Sequence, residues 1–223
     1  MLKIIIHTFS AFLESTLMII KNVVVGPLEV NCYIIGCEDT KEAAIIDPGD
    51  NADEIIRIIE MDGLKPMFII NTHAHFDHIG GVKAIQDHFK VDFILNEDDL
   101  FLVENASEQA TAFGLNPISK PEVNKFVNDG EEIKLGNMSI DVIHTPGHSP
   151  GCVCYYSDSN VFVGDTLFAG SIGRTDLPGG SYKTLINSVK EKLFSLSDNT
   201  IVHPGHGPST TIEDEKNHNP FLK

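Results

Sequence analysis

With 223 residues, 42% of them apolar and 8% aromatic, the chain has the composition of a folded globular protein rather than a disordered one. Its 16 Lys and Arg against 32 Asp and Glu leave a formal charge of −16. Such a surface repels phosphate backbones and anionic membrane faces, which excludes nucleic acid and membranes as main partners. Four cysteines, Cys32, Cys37, Cys152 and Cys154, are too few for a disulfide scaffold and lack the pairing of a four-cysteine zinc site. A reducing, cytoplasmic setting is expected.

The first 17 residues, MLKIIIHTFSAFLESTL, are interrupted by His7, Ser10, Glu14 and Ser15 and show no clear cleavage site. Met18 opens a clean first strand. Residues 1–17 are therefore expected to be an N-terminal extension, a misassigned start, with 18–223 forming one domain. Strands over 19–25, 32–35 and 43–46, parted by turn residues, predict a meander. Residues 52–61 carry Ile55, Ile56, Ile58 and Ile59 between charged positions and stop at Gly63, the pattern of an amphipathic helix. The run 67–71 is almost wholly apolar, so a strand buried on both faces is expected there. Helices follow over 80–89 and 98–112.

The second half repeats the style, with strands over 124–127, 131–135, 138–144, 153–156 and 160–163. A helix over 182–194, a short strand over 200–202 and a polar tail or short helix over 210–223 complete it. Strands followed by helices, twice over, predict an α+β fold of two similar halves packed sheet to sheet with helices outside.

The histidines carry the chemistry. Thr72-His73-Ala74-His75-Phe76-Asp77-His78 follows the 67–71 strand and precedes Gly80-Gly81 and a helix. Four metal-capable side chains in six residues can aim at common points: His73 and His75 at one divalent cation, Asp77 and His78 at a second. A merely solvated loop would gain nothing from three histidines that repel one another on protonation. Three further candidates, His148, Asp165 and His206, each sit just after a strand beside Gly or Pro, where a rigid scaffold meets a loop free to specialise. The seven together are enough for two ions. His144 reads as a strand-end hydrogen bonder, and His7, His88, His203 and His218 as structural or exposed.

The motif His73-x-His75-x-Asp77-His78, followed in order by His148, Asp165 and His206, resembles the metallo-β-lactamase superfamily over roughly residues 18–208. The resemblance implies a four-layer αββα sandwich with metals at one edge. It further implies that His73, His75 and His148 hold the first metal, that Asp77, His78 and His206 hold the second, and that Asp165 bridges them. Exported β-lactamases of this fold usually lack a histidine at the place of His78 and often carry cysteine at that of Asp165. The segments around 145–151, 164–168 and 173–180 are instead similar to the glyoxalase II-related and persulfide dioxygenase branches.

That likeness implies a hydrolase with two divalent ions, Zn first with Fe or Mn as alternatives. Asp77 would orient the attacking water, and the substrate would be a glutathione thioester such as S-D-lactoylglutathione. The alternatives are a mononuclear iron persulfide dioxygenase built on His73, His148 and Asp165, or a hydrolase of another thioester or a lactone. Glyoxalase II enzymes carry a further C-terminal helical region that helps hold glutathione, whereas here fewer than twenty residues follow His206. Arg174 and Asp176 are expected to form a buried pair fixing their loop. Arg174, Tyr182 and Lys183 are the candidate substrate contacts.

Overall fold

The computed structural model of the chain describes residues 17–223, so all of the expected N-terminal extension but Leu17 lies outside the described residues. The chain opens with β1 (Met18–Val25), β2 (Val30–Cys37) and β3 (Glu42–Ile46), an antiparallel meander, and crosses through α1 (Ala52–Met61) to the parallel strand β4 (Lys65–Ile70). Two short helices, α2 (Phe76–Ile79) and α3 (Val82–Phe89), lead to β5 (Asp92–Leu95), and α4 (Leu100–Ala112) leads to β6 (Lys125–Phe126). The order in this first sheet is β1-β2-β3-β4-β5-β6.

The second sheet begins with β7 (Glu132–Leu135), β8 (Met138–His144), β9 (Val153–Ser157) and β10 (Asn160–Gly164), all antiparallel neighbours. A small hairpin of β11 (Leu167–Phe168) and β12 (Ser171–Ile172) precedes α5 (Tyr182–Glu191). The chain then returns as β13 (Ile201–Pro204), parallel to β10, and ends with β14 (Thr210–Thr211) and α6 (Ile212–His218).

Three apolar clusters correspond to the three interfaces of a helix–sheet–sheet–helix sandwich. Side chains alternate between them with the period of two that a pleated strand imposes. On β2, Cys32 and Ile34 face the helices α1, α3 and α4, while Tyr33 and Ile35 face the opposite sheet. Phe93 and Leu95 against Ile94 on β5, and Tyr155 against Cys154 on β9, follow the same rule. Helix α1 shows why its sequence folds as it does: Ile55 and Ile59, one turn apart, are fully buried, and Asp53 and Glu54 lie at the positive end of the helix dipole.

Two expectations need correction, and one strand adds to them. The 67–71 strand starts earlier, at Lys65, and is buried only at its far end. Lys65 and Met67 are exposed, whereas Ile69 and Ile70 face the two different cores. The strand expected over 124–127 belongs to the first sheet, not the second, because it pairs in parallel with β5. That strand, β5, was not anticipated; it is only four residues long and follows α3 after two residues. All four cysteines are free and buried, and among the described residues no helix is long and apolar enough to cross a membrane.

The two sheets are joined near the site by Tyr155 on β9, whose hydroxyl donates to the carbonyl of Asn71 at the end of β4 (2.9 Å). Tyr155→Phe leaves that buried carbonyl without its donor and should cost about 1–2 kcal/mol. Urea unfolding should show a lower midpoint with an unchanged slope.

Candidate metal centre and active site

Four loops that leave the ends of β4, β8, β10 and β13 meet at one edge of the sandwich, bringing His73, His75, Asp77, His78, His148, Asp165 and His206 together. His73 Nε2 lies 3.2 Å from His148 Nε2, and His75 Nδ1 lies 2.8 Å from the same atom. The hydrogen-bond partners behind the rings decide what those nitrogens carry. The Thr72 hydroxyl donates to Asp47 Oδ2 (2.6 Å), so it accepts from His73 Nδ1 at 3.1 Å. His148 Nδ1 donates to the Arg174 carbonyl at 2.8 Å. Both Nε2 atoms are therefore lone pairs that cannot bond each other and face one point, an arrangement suited to a shared cation.

The second group is Asp77, His78 and His206. His78 Nδ1 donates to Asp47 Oδ2 (3.1 Å) and His206 Nδ1 to the Leu28 carbonyl (2.9 Å), which turns both Nε2 atoms inward. There His206 Nε2 lies 3.5 Å from Asp77 Oδ2, and His78 Nε2 lies 3.8 Å from the same oxygen. Asp165 stands between the groups, 3.6 Å from His148, 3.5 Å from His78 and 3.7 Å from His206.

The electrostatics follow from burial among these partners. Burial first, and then the neighbouring imidazoles, hold His73 well below the usual histidine range, and burial and His148 bring His75 down to about 3. Burial opposes charge on His78 as well, but Asp165, Asp77 and Asp47 outweigh it and raise its pKa to about 10. Burial likewise opposes the Asp77 carboxylate, yet His78 and His206 hold it ionised far below the ordinary range. The carboxylates around His78 thus favour positive charge at the centre of the cluster. His78 Nε2 and Asp165 Oδ1, which face each other inside the cluster, are buried polar atoms with no hydrogen-bond partner. Such orphans are costly, and imidazole with carboxylate is the donor set of zinc, iron or manganese. The residues fit a metal pair.

Two buried carboxylates escaped the sequence analysis. Asp47, in a turn after β3, accepts from both the amide and the hydroxyl of Thr72 as well as from His78. It holds a left-handed φ of 50°, a backbone strain that the site retains. Asp99 accepts from the Ala74 amide (3.1 Å), the Ser149 hydroxyl (2.7 Å) and the Gly151 amide (2.7 Å), tying the His73–His75 loop to the His148 loop. Burial pushes its carboxyl up despite those donors. Gly205 is required by close approach, since a Cβ there would lie 2.4 Å from Asp165 Oδ1 and 2.8 Å from His78 Cε1.

The remaining candidates lie further out. Arg174 borders the site cavity but is exposed, not buried, and binds Asp176 through Nε and Nη2, each at 2.8 Å. Tyr182 and Lys183 open α5 and line neither cavity at the site. His144 donates to the Pro150 carbonyl (2.8 Å), as a strand-end bonder should. His203 stacks on Phe162 with burial bringing its pKa down to about 4, and His88 pairs with Glu60 at the surface. His7 lies outside the described residues.

This fold and this donor set define a class. Residues 25–206 match the family model of the metallo-beta-lactamase superfamily, and the chain belongs to that superfamily as a metallo-hydrolase. It is 42% identical over 209 residues to hydroxyacylglutathione hydrolase GloC of Haemophilus influenzae, covering 92% of this chain and 98% of that one. Among solved structures, the BLEG-1 B3 metallo-beta-lactamase superposes with a TM-score of 0.86 at 40% identity, covering 92% of this chain and 100% of the other. A protein solved in a di-iron-bound form, TTHA1623, superposes with a TM-score of 0.83 at 41% identity, covering 91% and 100%.

The Asp99 bridge predicts a specific outcome. Asp99→Asn would turn an amide N–H toward donors that a carboxylate now satisfies, loosening the His148 loop. Metal affinity should fall about 10- to 100-fold, as for other groups that orient ligands. Competition with a chromophoric chelator, alongside circular dichroism showing retained fold, measures this.

Proposed function

We propose that the chain is a two-metal hydrolase of thioesters, with a glutathione thioester such as S-D-lactoylglutathione as the candidate substrate. One observation carries the reading. Two complete donor groups, His73, His75 and His148 on one side and Asp77, His78 and His206 on the other, face each other across Asp165. The name of the Haemophilus influenzae relative supports the choice of thioester.

Bound there, a pair of divalent ions, zinc first with iron or manganese as alternatives, would supply a water activated near neutral pH and a Lewis acid for the acyl carbonyl. The chain's own residues do the rest. Asp77 borders the cavity and is held ionised by His78 and His206, so it accepts a hydrogen bond and can orient an attacking water. Asp47 and Thr72 fix the rings of His78 and His73, and the Arg174 carbonyl fixes that of His148. A thiolate leaves readily, so a strong general acid is not needed.

A mononuclear iron oxygenase acting on a persulfide is the second reading. The di-iron relative favours iron, but that form holds two irons, and the Asp77, His78 and His206 group has no task in a one-metal mechanism.

Metal-loaded protein, assayed by thiol release, should hydrolyse a glutathione thioester and lose that activity to a chelator. Asp77→Ala should lower kcat about 100-fold or more, and His148→Ala should abolish turnover. Near-normal turnover in Asp77→Ala, or oxygen consumption with glutathione persulfide, would contradict the reading.

A further inference from the structure

The walls around the cluster have a character that the metal chemistry does not require. A cavity of about 330 Å³ opens on Asp77, His148, Asp165 and His206 and is walled by Leu28, Phe76, Phe113, Leu177 and Pro178. Two of these walls are tied to the ligands themselves. Phe76 directly precedes Asp77, and the Leu28 carbonyl accepts from His206 Nδ1 at 2.9 Å. The Phe76 and Phe113 rings pack with centroids 5.2 Å apart, and Phe113 nonetheless remains 54% exposed at the rim. A second cavity of about 420 Å³ shares Leu28, Phe76 and Asp77 with the first and continues past Leu115 and Ile118. Large exposed apolar groups beside a polar reaction centre mark a site for an apolar ligand group.

The charges point the same way. Glutathione carries two carboxylates and an ammonium at neutral pH, and a tight grip on it calls for cationic side chains. Among the residues lining the two cavities, Arg174 is the single Lys or Arg, and its guanidinium is engaged by Asp176 in a two-point pair. Asp50 adds a carboxylate to the second cavity.

We propose that this site selects its substrate by an apolar acyl group seated against Leu28, Phe76 and Phe113, and that the thiol half of the thioester is held without ionic contacts. Thioesters of longer apolar aliphatic or aryl acyl groups are turned over faster than those of the short, hydroxylated lactoyl group, so S-D-lactoylglutathione is a substrate without being the preferred one. This rests on the thioesterase reading above. Full burial of a methylene improves binding about fourfold. In cavities open to solvent on one side about half of that in free-energy terms is realised, about twofold for each methylene added.

The test is a matched series of acetyl, lactoyl, butanoyl and hexanoyl thioesters on both glutathione and N-acetylcysteamine, a small uncharged thiol. From acetyl to hexanoyl kcat/KM should rise about tenfold or more, and exchange of the thiol should change it less than about threefold. Phe113→Ala should lower the hexanoyl value about tenfold and the acetyl value by much less. Binding gives a readout free of catalysis: alkyl thioethers of N-acetylcysteamine, which cannot be hydrolysed, should bind more tightly as the chain lengthens, and Phe113→Ala should flatten that trend. Turnover without any rise along the acyl series, or a loss of tenfold or more on exchanging glutathione for N-acetylcysteamine, would overturn the proposal and leave thioesterase activity standing. If no thioester is turned over yet the thioethers bind with the expected trend, the thioesterase reading fails and the apolar site remains.

Discussion

The carboxylate of Asp47 fixes the direction in which two of the site imidazoles can donate. One oxygen takes the Thr72 amide, and the other takes both the Thr72 hydroxyl and His78 Nδ1. Because the Thr72 hydroxyl has its proton committed there, it can only accept from His73. A single buried anion on the β3 side of the first sheet thereby sets the tautomer of one imidazole in each donor group. Removing it would leave His78 free to rotate and His73 free to present the wrong nitrogen. Asp99 does for loop position what Asp47 does for ring orientation, joining the amide of Ala74 to the loop that carries His148.

The sandwich matters to function because it delivers these groups from separate strand ends to one edge. β4 and β10 lie in different sheets, yet Asp165, after β10, reaches within 3.5 Å of His78, after β4. That approach depends on the two sheets packing through Tyr33, Ile35, Ile70, Tyr155 and Phe162, and on Gly205, whose missing side chain leaves room beside Asp165 and His78. Packing and chemistry therefore share a boundary. The close-packed interior transmits displacement, so a change in the sheet interface would be felt as a change in ligand geometry.

The sequence made some of this visible and hid the rest for physical reasons. The 73–78 motif stands out because so many donors within one turn of chain have no structural purpose. His148, Asp165 and His206 could be found because strand ends beside Gly and Pro punctuate the pattern. Asp47 could not, since Asp47-Pro48-Gly49 reads as an ordinary turn, and Asp99 could not, since it falls in the first turn of the helix expected over 98–112, where an acidic residue is unremarkable. What makes both functional is burial against partners far away in sequence, which only the fold supplies. Strand β5 was missed for lack of length and β6 assigned to the wrong half because pairing partners are not encoded locally. The apolar lip formed by Leu28 and Phe113 was equally hidden, because an isolated exposed Leu or Phe is unremarked in any sequence.

Taken together, the site is a cluster of carboxylates and imidazoles in which the outer nitrogens of His73, His78, His148 and His206 are each hydrogen-bonded, and whose inner atoms converge in two groups about Asp165. That convergence is the central claim, and counting metal tests it most directly. Saturating the protein with zinc and measuring the bound metal by elemental analysis after dialysis should give two ions per chain, falling to one in His206→Ala. A single ion per chain at saturation, unchanged in His206→Ala, would contradict the account.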